Sequence, residues 1–243
     1  MSPRPGWLVI AEMQARELGR RRTALGLLFG VPLVWYLAEL ASGANWAVAS
    51  AAMGIGWGAG AASLFAFLGA RRVDARLVQA GYRPREIVLG RVATLLGISM
   101  TLAGLFGALV VATDWPDRPG IAVLSMVLAA VVGVPLGWTV AAIVPRELEG
   151  FLLLIGVIGI ESSLPASAPG AVMPLWAALR LMDPDQPAIG GLVPTLQALV
   201  YAAALGAVAL YLWSHRVRLQ PATQEVTGLR GAAPVVGEIS GTR

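Results

Sequence analysis

Six apolar stretches follow one another along the chain, at 23–41, 47–70, 87–113, 120–144, 150–165 and 192–213, each closed by polar or charged residues. A helix rises 1.5 Å per residue and a bilayer core is about 30 Å thick, so roughly 20 apolar residues are needed to span it. All but the fifth stretch meet that length. The fifth runs into "SLPASAPG", where Pro165 and Pro169 remove amide donors and Gly170 loosens the backbone. It therefore stops short of the far surface. Before the first stretch, "GWLVIAEMQARELGRRR" sets Trp7, Leu8, Ile10, Ala11 and Leu18 among polar residues, the pattern of a helix lying in the membrane interface.

These elements predict an all-α membrane protein with six transmembrane helices and an amphipathic interfacial helix at the N-terminal end. A single transmembrane domain covers 1–219. The remainder, 220–243, is rich in Gly, Ala, Thr and Pro without periodicity and reads as a flexible tail. Residues 165–191, between the last two spans, form a broken outer segment whose Met173, Leu175, Trp176, Leu179 and Leu181 suit an interfacial position.

Composition agrees with a membrane class. Of 243 residues 57% are hydrophobic and only 13% charged, against about 25% charged in soluble domains, and the mean hydropathy is +0.72. There is no cysteine, so disulfides, thiolate metal sites and thiol nucleophiles are excluded. There is no lysine either; all eighteen basic residues are arginine. The sequence pI near 10.3 does not indicate nucleic acid, because the charge flanks apolar runs in the manner of a topology signal. Sixteen arginines fall on one side of the six spans and two, Arg118 and Arg180, on the other. The positive-inside rule puts both termini in the cytoplasm of a cell-membrane protein. Trp35, Tyr36, Trp46, Trp115 and Trp176 fall at the outer ends of spans and Trp7, Tyr211 and Trp213 at the inner ends, as aromatic belts do. The first apolar run is long for a signal peptide and five more spans follow, which favours a retained anchor.

Between the second and third spans lies "ARRVDARLVQAGYRPREIVLGR", with six arginines. Asp74 suits a helix N-terminus, Val73 and Leu77 lie four apart on one face, and Gly81 offers a left-handed stop. A separate two-turn helix follows from this spacing. Pro84 then suits the first turn of the third span, Glu86 complements its N-terminus, and Arg85 and Arg91 remain near the lipid headgroups. By charge alone the segment is a lipid-anchoring loop.

The order of these elements resembles the ABC type-2 permease family, the membrane subunits of ATP-binding cassette exporters. The resemblance covers most of the chain, from Glu12 to Trp213. It rests on the interfacial helix ending in arginines, on "ARLVQAGYRPREIVLGR" before the third span, and on "MPLWAALRLMDP" after the fifth, where Asp183 stands in place of the family's Asn. The resemblance implies a permease subunit of a drug or antibiotic, multidrug or lipid efflux system, dimerised with itself or a sister subunit. It also makes the short helix a coupling helix seated on a cytoplasmic ATP-binding subunit. The contact set so implied is Arg72, Asp74, Arg76, Leu77, Gln79, Tyr82, Arg83 and Arg85, joined by Glu12 and Glu17 from the interfacial helix. ATP and Mg would be bound by that partner, since a phosphate-binding loop needs a lysine and the chain has none. The chain itself is expected to bind no cofactor and no metal, to catalyse no reaction, and to have membrane lipid around it.

Polar groups inside the spans are the candidates for a substrate path, because burying them costs several kcal/mol unless they are paired or wet. Glu161 lies about eleven residues, or roughly 16 Å, into the fifth span. With Ser162 and Ser163 it makes a polar patch, either facing a substrate or sitting at the wet mouth of a shortened helix. In the second span "GIGWGAGAAS" spaces Gly54, Gly56, Gly58 and Gly60 into two small-residue stripes and sets Trp57 among them. Trp57 either lines a cavity for an apolar substrate or packs into the glycine notch. Two other classes stay open: a passive assembly or immunity-type membrane protein without transport, and an intramembrane lipid-modifying enzyme. Against the enzyme, His215 is the only histidine, and no paired acids share a helix face.

Overall fold

A computed structural model describes residues 5–20, 22–42, 47–113, 118–163, 173–182 and 191–218 of the protein. Among these residues every regular element is a helix: α1 (Gly6–Arg20), α2 (Arg22–Ser42), α3 (Ala47–Gln79), α4 (Pro84–Thr113), α5 (Pro119–Ile143), α6 (Glu147–Ser163), α7 (Trp176–Arg180) and α8 (Leu192–Arg218). The all-α class expected from the apolar periodicity is thus found. Four helices carry stretches long and apolar enough to cross a membrane, at Ala47–Arg71, Pro84–Thr113, Pro119–Ile143 and Leu192–His215. The other two expected spans fall on shorter elements. In α2 the apolar part is Leu28–Ser42, and α6 has 17 residues with Glu147 and Glu149 in its first turn. The tail at 220–243 lies outside the described residues.

The centre of the bundle is the crossing of α3 and α5, and glycine is the reason these two helices meet there. Gly56 and Gly60 of α3 face Gly133 and Gly137 of α5 so closely that a Cβ on Gly133 would collide with the Gly56 carbonyl, and one on Gly137 with the Gly60 carbonyl. The second stripe turns to another neighbour. A Cβ on Gly54 would lie 2.8 Å from Pro32 Cα, and one on Gly58 would lie 3.1 Å from Leu28, so Gly54 and Gly58 seat α2 on α3. One sequence pattern with a two-residue offset therefore packs two different helices. Pro32 and Pro135 both lie inside their helices.

Around that crossing, Tyr36, Ile55, Leu102, Met126 and Leu154 form one apolar cluster. Ile10, Leu64, Ile87, Trp138 and Trp213 form a second, toward the arginine-rich end. Stacking of Phe67 on Trp138, with centroids 4.8 Å apart, closes the second cluster between α3 and α5. Two aromatic residues depart from the expected belts. Tyr36 is fully buried and hydrogen-bonds through its hydroxyl to Thr113 of α4, and Trp213 is only 9% exposed. Each has an inward neighbour that offers its polar atom a place, so burial wins over the interface. Trp46 and Trp115 lie outside the described residues.

Residues 173–182, between α6 and α8, pack inward. Leu175, Ala177, Ala178 and Leu181 around α7 are buried, and Ser125 of α5 donates a 2.7 Å hydrogen bond to the Ala178 carbonyl. Leu175 and Leu181 are thus core residues and not interfacial ones, because α5 supplies both an apolar surface and a donor for the turn. Asp183 and Pro184 lie outside the described residues.

Candidate functional site

The charged segment singled out in the sequence forms the turn of an α3–α4 hairpin. The expected break before it is absent: α3 runs 33 residues without interruption from Ala47 to Gln79. Between Phe67 and Gln79 the sequence holds no proline, and Gly69 is the only glycine, at a cost of about 1 kcal/mol. Helix propagation therefore continues past the membrane stretch, and the separate two-turn helix becomes the last turns of α3. At 1.5 Å per residue α3 is about 50 Å long.

Its end is as read from the sequence. Gly81 has φ +93°, the left-handed conformation open to glycine. The Tyr82 amide donates to the Leu77 carbonyl and the Gly81 amide to the Val78 carbonyl, each at 3.0 Å. This is a Schellman stop, which satisfies carbonyls that a helix end otherwise leaves bare. The next helix starts three residues later with Pro84 in its first turn. Glu86 reaches back to accept the Arg83 amide at 3.2 Å, the carboxylate half of a capping box. Only four residues, 80–83, separate two helices capped on both sides.

Beneath the turn lies a buried ionic node. Asp74 and Arg91 are each 1% exposed and Gln14 is 3% exposed. Arg91 donates through Nε to Asp74 Oδ1 at 3.1 Å, and through a terminal nitrogen to the same oxygen. Its other terminal nitrogen donates to Gln14 Oε1 of α1. Trp213 of α8 stands beside the carboxylate. Asp74 lies beyond the membrane stretch of α3, and burial pushes its carboxyl above the ordinary value of 3.8 although Arg91 pulls the other way. Two expectations are corrected here. Asp74 neither starts a helix nor belongs to an exposed contact surface, and Arg91 is not at the lipid headgroups. Each charge is desolvated by the close approach of α1, α3 and α4, and each is held there by the other.

That approach also has a glycine at its centre. A Cβ on Gly90 would lie 2.6 Å from the Trp7 carbonyl and 2.8 Å from Ile10 Cβ, so α1 crosses α4 at Gly90. Thr94, one turn on, donates to the Ala11 carbonyl at 3.0 Å or the Gly90 carbonyl at 2.9 Å. Arg71 has a further structural task that positional charge counting passed over. Its guanidinium donates to the carbonyls of Ala141 at 2.5 Å and Val144 at 3.2 Å, at the C-terminus of α5. A cation there complements the negative end of the helix dipole.

The rest of the predicted contact set divides by exposure. Arg76, Gln79, Arg83 and Arg85 are exposed, as are Glu12 and Glu17 on α1. Leu77 and Tyr82 are half-buried, packed against the second core cluster. Arg72 belongs to α3, but its side chain lies outside the described residues. The exposed face at this end is therefore built from Arg76, Gln79, Arg83 and Arg85, with Asp74 under it as a support.

The predicted substrate path lies further along α3. Trp57 stacks on Trp35 of α2 with centroids 5.8 Å apart and planes at 14°. Its other neighbour is Phe151 of α6, at 5.7 Å, and Phe151 in turn meets Phe65 of α3 at 5.8 Å. A ladder of four rings thus joins α2, α3 and α6. Trp57 is half-buried, and its ring does not enter the glycine notch, which α2 and α5 fill. Sequence reading found Trp57 and missed Trp35, Phe65 and Phe151. Phe151, Leu154, Ile158 and Glu161 fall on one helical stripe of α6, and that spacing was the available signal. Glu161, 4% exposed, ends the stripe with neither carboxylate oxygen hydrogen-bonded among the described residues. The amides of Leu175 and Trp176 face it. The wet-mouth alternative for Glu161 is therefore not what the structure has, because the α7 segment covers it. Ser162 and Ser163 belong to the last turn of α6, and their side chains lie outside the described residues.

No known protein family, curated protein or solved structure matches the chain in comparison.

Proposed function

We propose that the chain is the membrane subunit of an ATP-driven exporter, resembling the ABC type-2 permeases, with ATP and Mg bound by a separate cytoplasmic subunit. The observation that carries the reading is the continuity of α3. One unbroken helix bears Trp57 of the aromatic ladder and, 19 and 20 residues on, Arg76 and Leu77 beneath an exposed basic turn. A stiff helix pinned at that end by Arg91 transmits a displacement as a rigid-body motion, where a floppy loop would absorb it. The ring ladder, with Trp57 and Phe151 half-buried and Trp35 and Phe65 exposed, offers stacking and apolar surface to cargo, which favours a hydrophobic or amphipathic small molecule or a lipid. In this reading α2 and α6 complete a set of six spans, both termini are cytoplasmic in the cell membrane, and a second permease subunit faces α2, α3 and α6.

The deciding experiment is co-purification in mild detergent followed by an ATPase assay on what accompanies the chain. A soluble ATPase should be recovered with the native protein and lost with Arg76→Glu combined with Arg83→Glu. Both residues are exposed, so the double variant should fold as the parent does. Recovery of the chain alone, without nucleotide hydrolysis, would favour a passive membrane protein.

A further inference from the structure

Between α1 and α4 lies a cavity of about 550 Å³, within the size range of small-ligand sites. Small residues make the space: Ala11 and Ala15 on α1 face Ala93 and Gly97 on α4. A Cβ on Gly97 would meet nothing within 4 Å, and neither would one on Gly104, two turns further along the helix. Gly97, Thr101, Gly104 and Leu105 are all exposed, so the cavity is an open furrow beside an exposed stretch of α4. That helix is one of the four long enough to cross a membrane. The hydroxyls in the lining are already used. Thr94 donates to backbone of α1 or of its own helix, and Thr101 donates to the Gly97 carbonyl at 2.9 Å. An occupant therefore gains apolar contact there and no hydrogen bond from them.

One lining residue is charged. Glu12 lines the cavity and is paired with Arg16, one turn further along α1, at 2.5 Å. The Arg16 side chain is 74% exposed, and Arg20 on the next turn is exposed too. A guanidinium with free donors is suited to a phosphate, which it binds in a forked geometry. An apolar furrow beside a helix able to cross a membrane, with an exposed guanidinium paired to its one charged lining residue, matches the two parts of one molecule. We propose that the α1–α4 furrow is a phospholipid site, holding one acyl chain against Gly97 with the phosphate at Arg16. It rests on α4 crossing the membrane and is independent of the transporter reading.

The test is native mass spectrometry of the full chain, extracted into neutral detergent from vesicles of phosphatidylglycerol and phosphatidylethanolamine. One phospholipid per chain is expected to survive detergent exchange. Gly97→Leu fills the furrow and should lower that retention at least tenfold. Gly156→Leu, placed on α6 where an added Cβ also meets nothing within 4 Å, should leave it unchanged. Arg16→Ala should weaken retention of phospholipid while leaving that of diacylglycerol, which has no phosphate, as it was. Thermal melting of each variant in detergent reports that the fold is kept. Equal retention in Gly97→Leu and Gly156→Leu would overturn the site, as would an Arg16→Ala variant that holds phospholipid and diacylglycerol as the native chain does.

Discussion

Arg91 reaches back across the α3–α4 hairpin to place two hydrogen-bond donors on a single oxygen of Asp74, seventeen residues earlier in the chain. Both side chains are 2% exposed. The hairpin is therefore fastened beneath its turn as well as at it, and Gln14 brings α1 to the same point.

Removing one member of a buried ion pair leaves the other without compensation, which typically destabilises by about 3–5 kcal/mol. Asp74→Ala and Arg91→Ala should each lower stability by an amount of that order, read as a lower melting temperature in detergent. The combined Asp74→Leu, Arg91→Met variant should be less destabilised than either single change. A double variant as unstable as the sum of the singles would mean the two groups act separately.

The pH dependence of the same node follows from burial. The folded value for Asp74 lies above 3.8, the ordinary value, with Arg91 and Trp213 facing the carboxyl and Gln14 bonded to Arg91. As pH falls, the folded chain takes up this proton before the unfolded chain does. Between the folded value and 3.8 the folded state holds more protons, so stability contributed by this group rises as pH falls through that window. Above the folded value the full desolvation penalty is present. Melting curves of the native chain and Asp74→Asn, taken across the acidic range, should differ in slope with this sign. Parallel curves would show that Arg91 fully offsets the burial.

The α3–α5 crossing makes a sharper steric prediction. A methyl at Gly137 has nowhere to go but into the Gly60 carbonyl, and overpacking of this kind costs about 1–3 kcal/mol. Gly137→Ala should lower the melting temperature. Gly156→Ala, where the added atom meets nothing within 4 Å, should be neutral or stabilising by about 0.5–1 kcal/mol, the gain of alanine over glycine in a helix.

Elements governed by local chemistry could be read from the sequence. The apolar runs became helices, and Gly81 with Pro84 and Glu86 marked one helix stop and the next start. The two glycine stripes of α3 were visible as well, since helical periodicity fixes which residues share a face. What escaped depends on which helix lies opposite. Asp74 looked like a helix start because an acid is common there, and nothing within four residues reveals a guanidinium seventeen positions away. Arg71 counted as one more positive charge although it caps a different helix. The ring ladder was missed for the same reason: Trp57, Trp35 and Phe151 come from three helices, and only their packing brings the rings within stacking distance.

In the transporter reading, Trp57 should matter to cargo. It stands between Trp35 and Phe151, so its loss breaks the ladder in the middle. Aromatic pairs contribute about 0.5–1.5 kcal/mol beyond area burial, which corresponds to a loss of roughly twofold to tenfold in affinity. Fluorescence titration with an aromatic amphiphile should show that decrease for Trp57→Ala and a smaller one for Trp57→Phe, which keeps a ring. Equal binding by all three would remove the ladder from the cargo path.

Gly81 tests whether the hairpin acts as a rigid unit. Its φ of +93° lies where a Cβ is strained, at about 1–2 kcal/mol per residue. No atom lies within 4 Å of a Cβ built there, so the strain is conformational and not a clash. Gly81→Ala should therefore lower stability by about that amount, and Gly81→Asn by less, since asparagine tolerates the left-handed region. If the turn only closes a loop, any effect on a co-purified ATPase should follow stability alone. If the turn carries force between the ATPase and α3, Gly81→Ala should uncouple ATP turnover from cargo at temperatures well below melting. Comparing cargo-stimulated turnover in the Ala and Asn variants at equal folded fraction separates the two, because only a mechanical role leaves the Ala variant folded, bound to its partner and unresponsive.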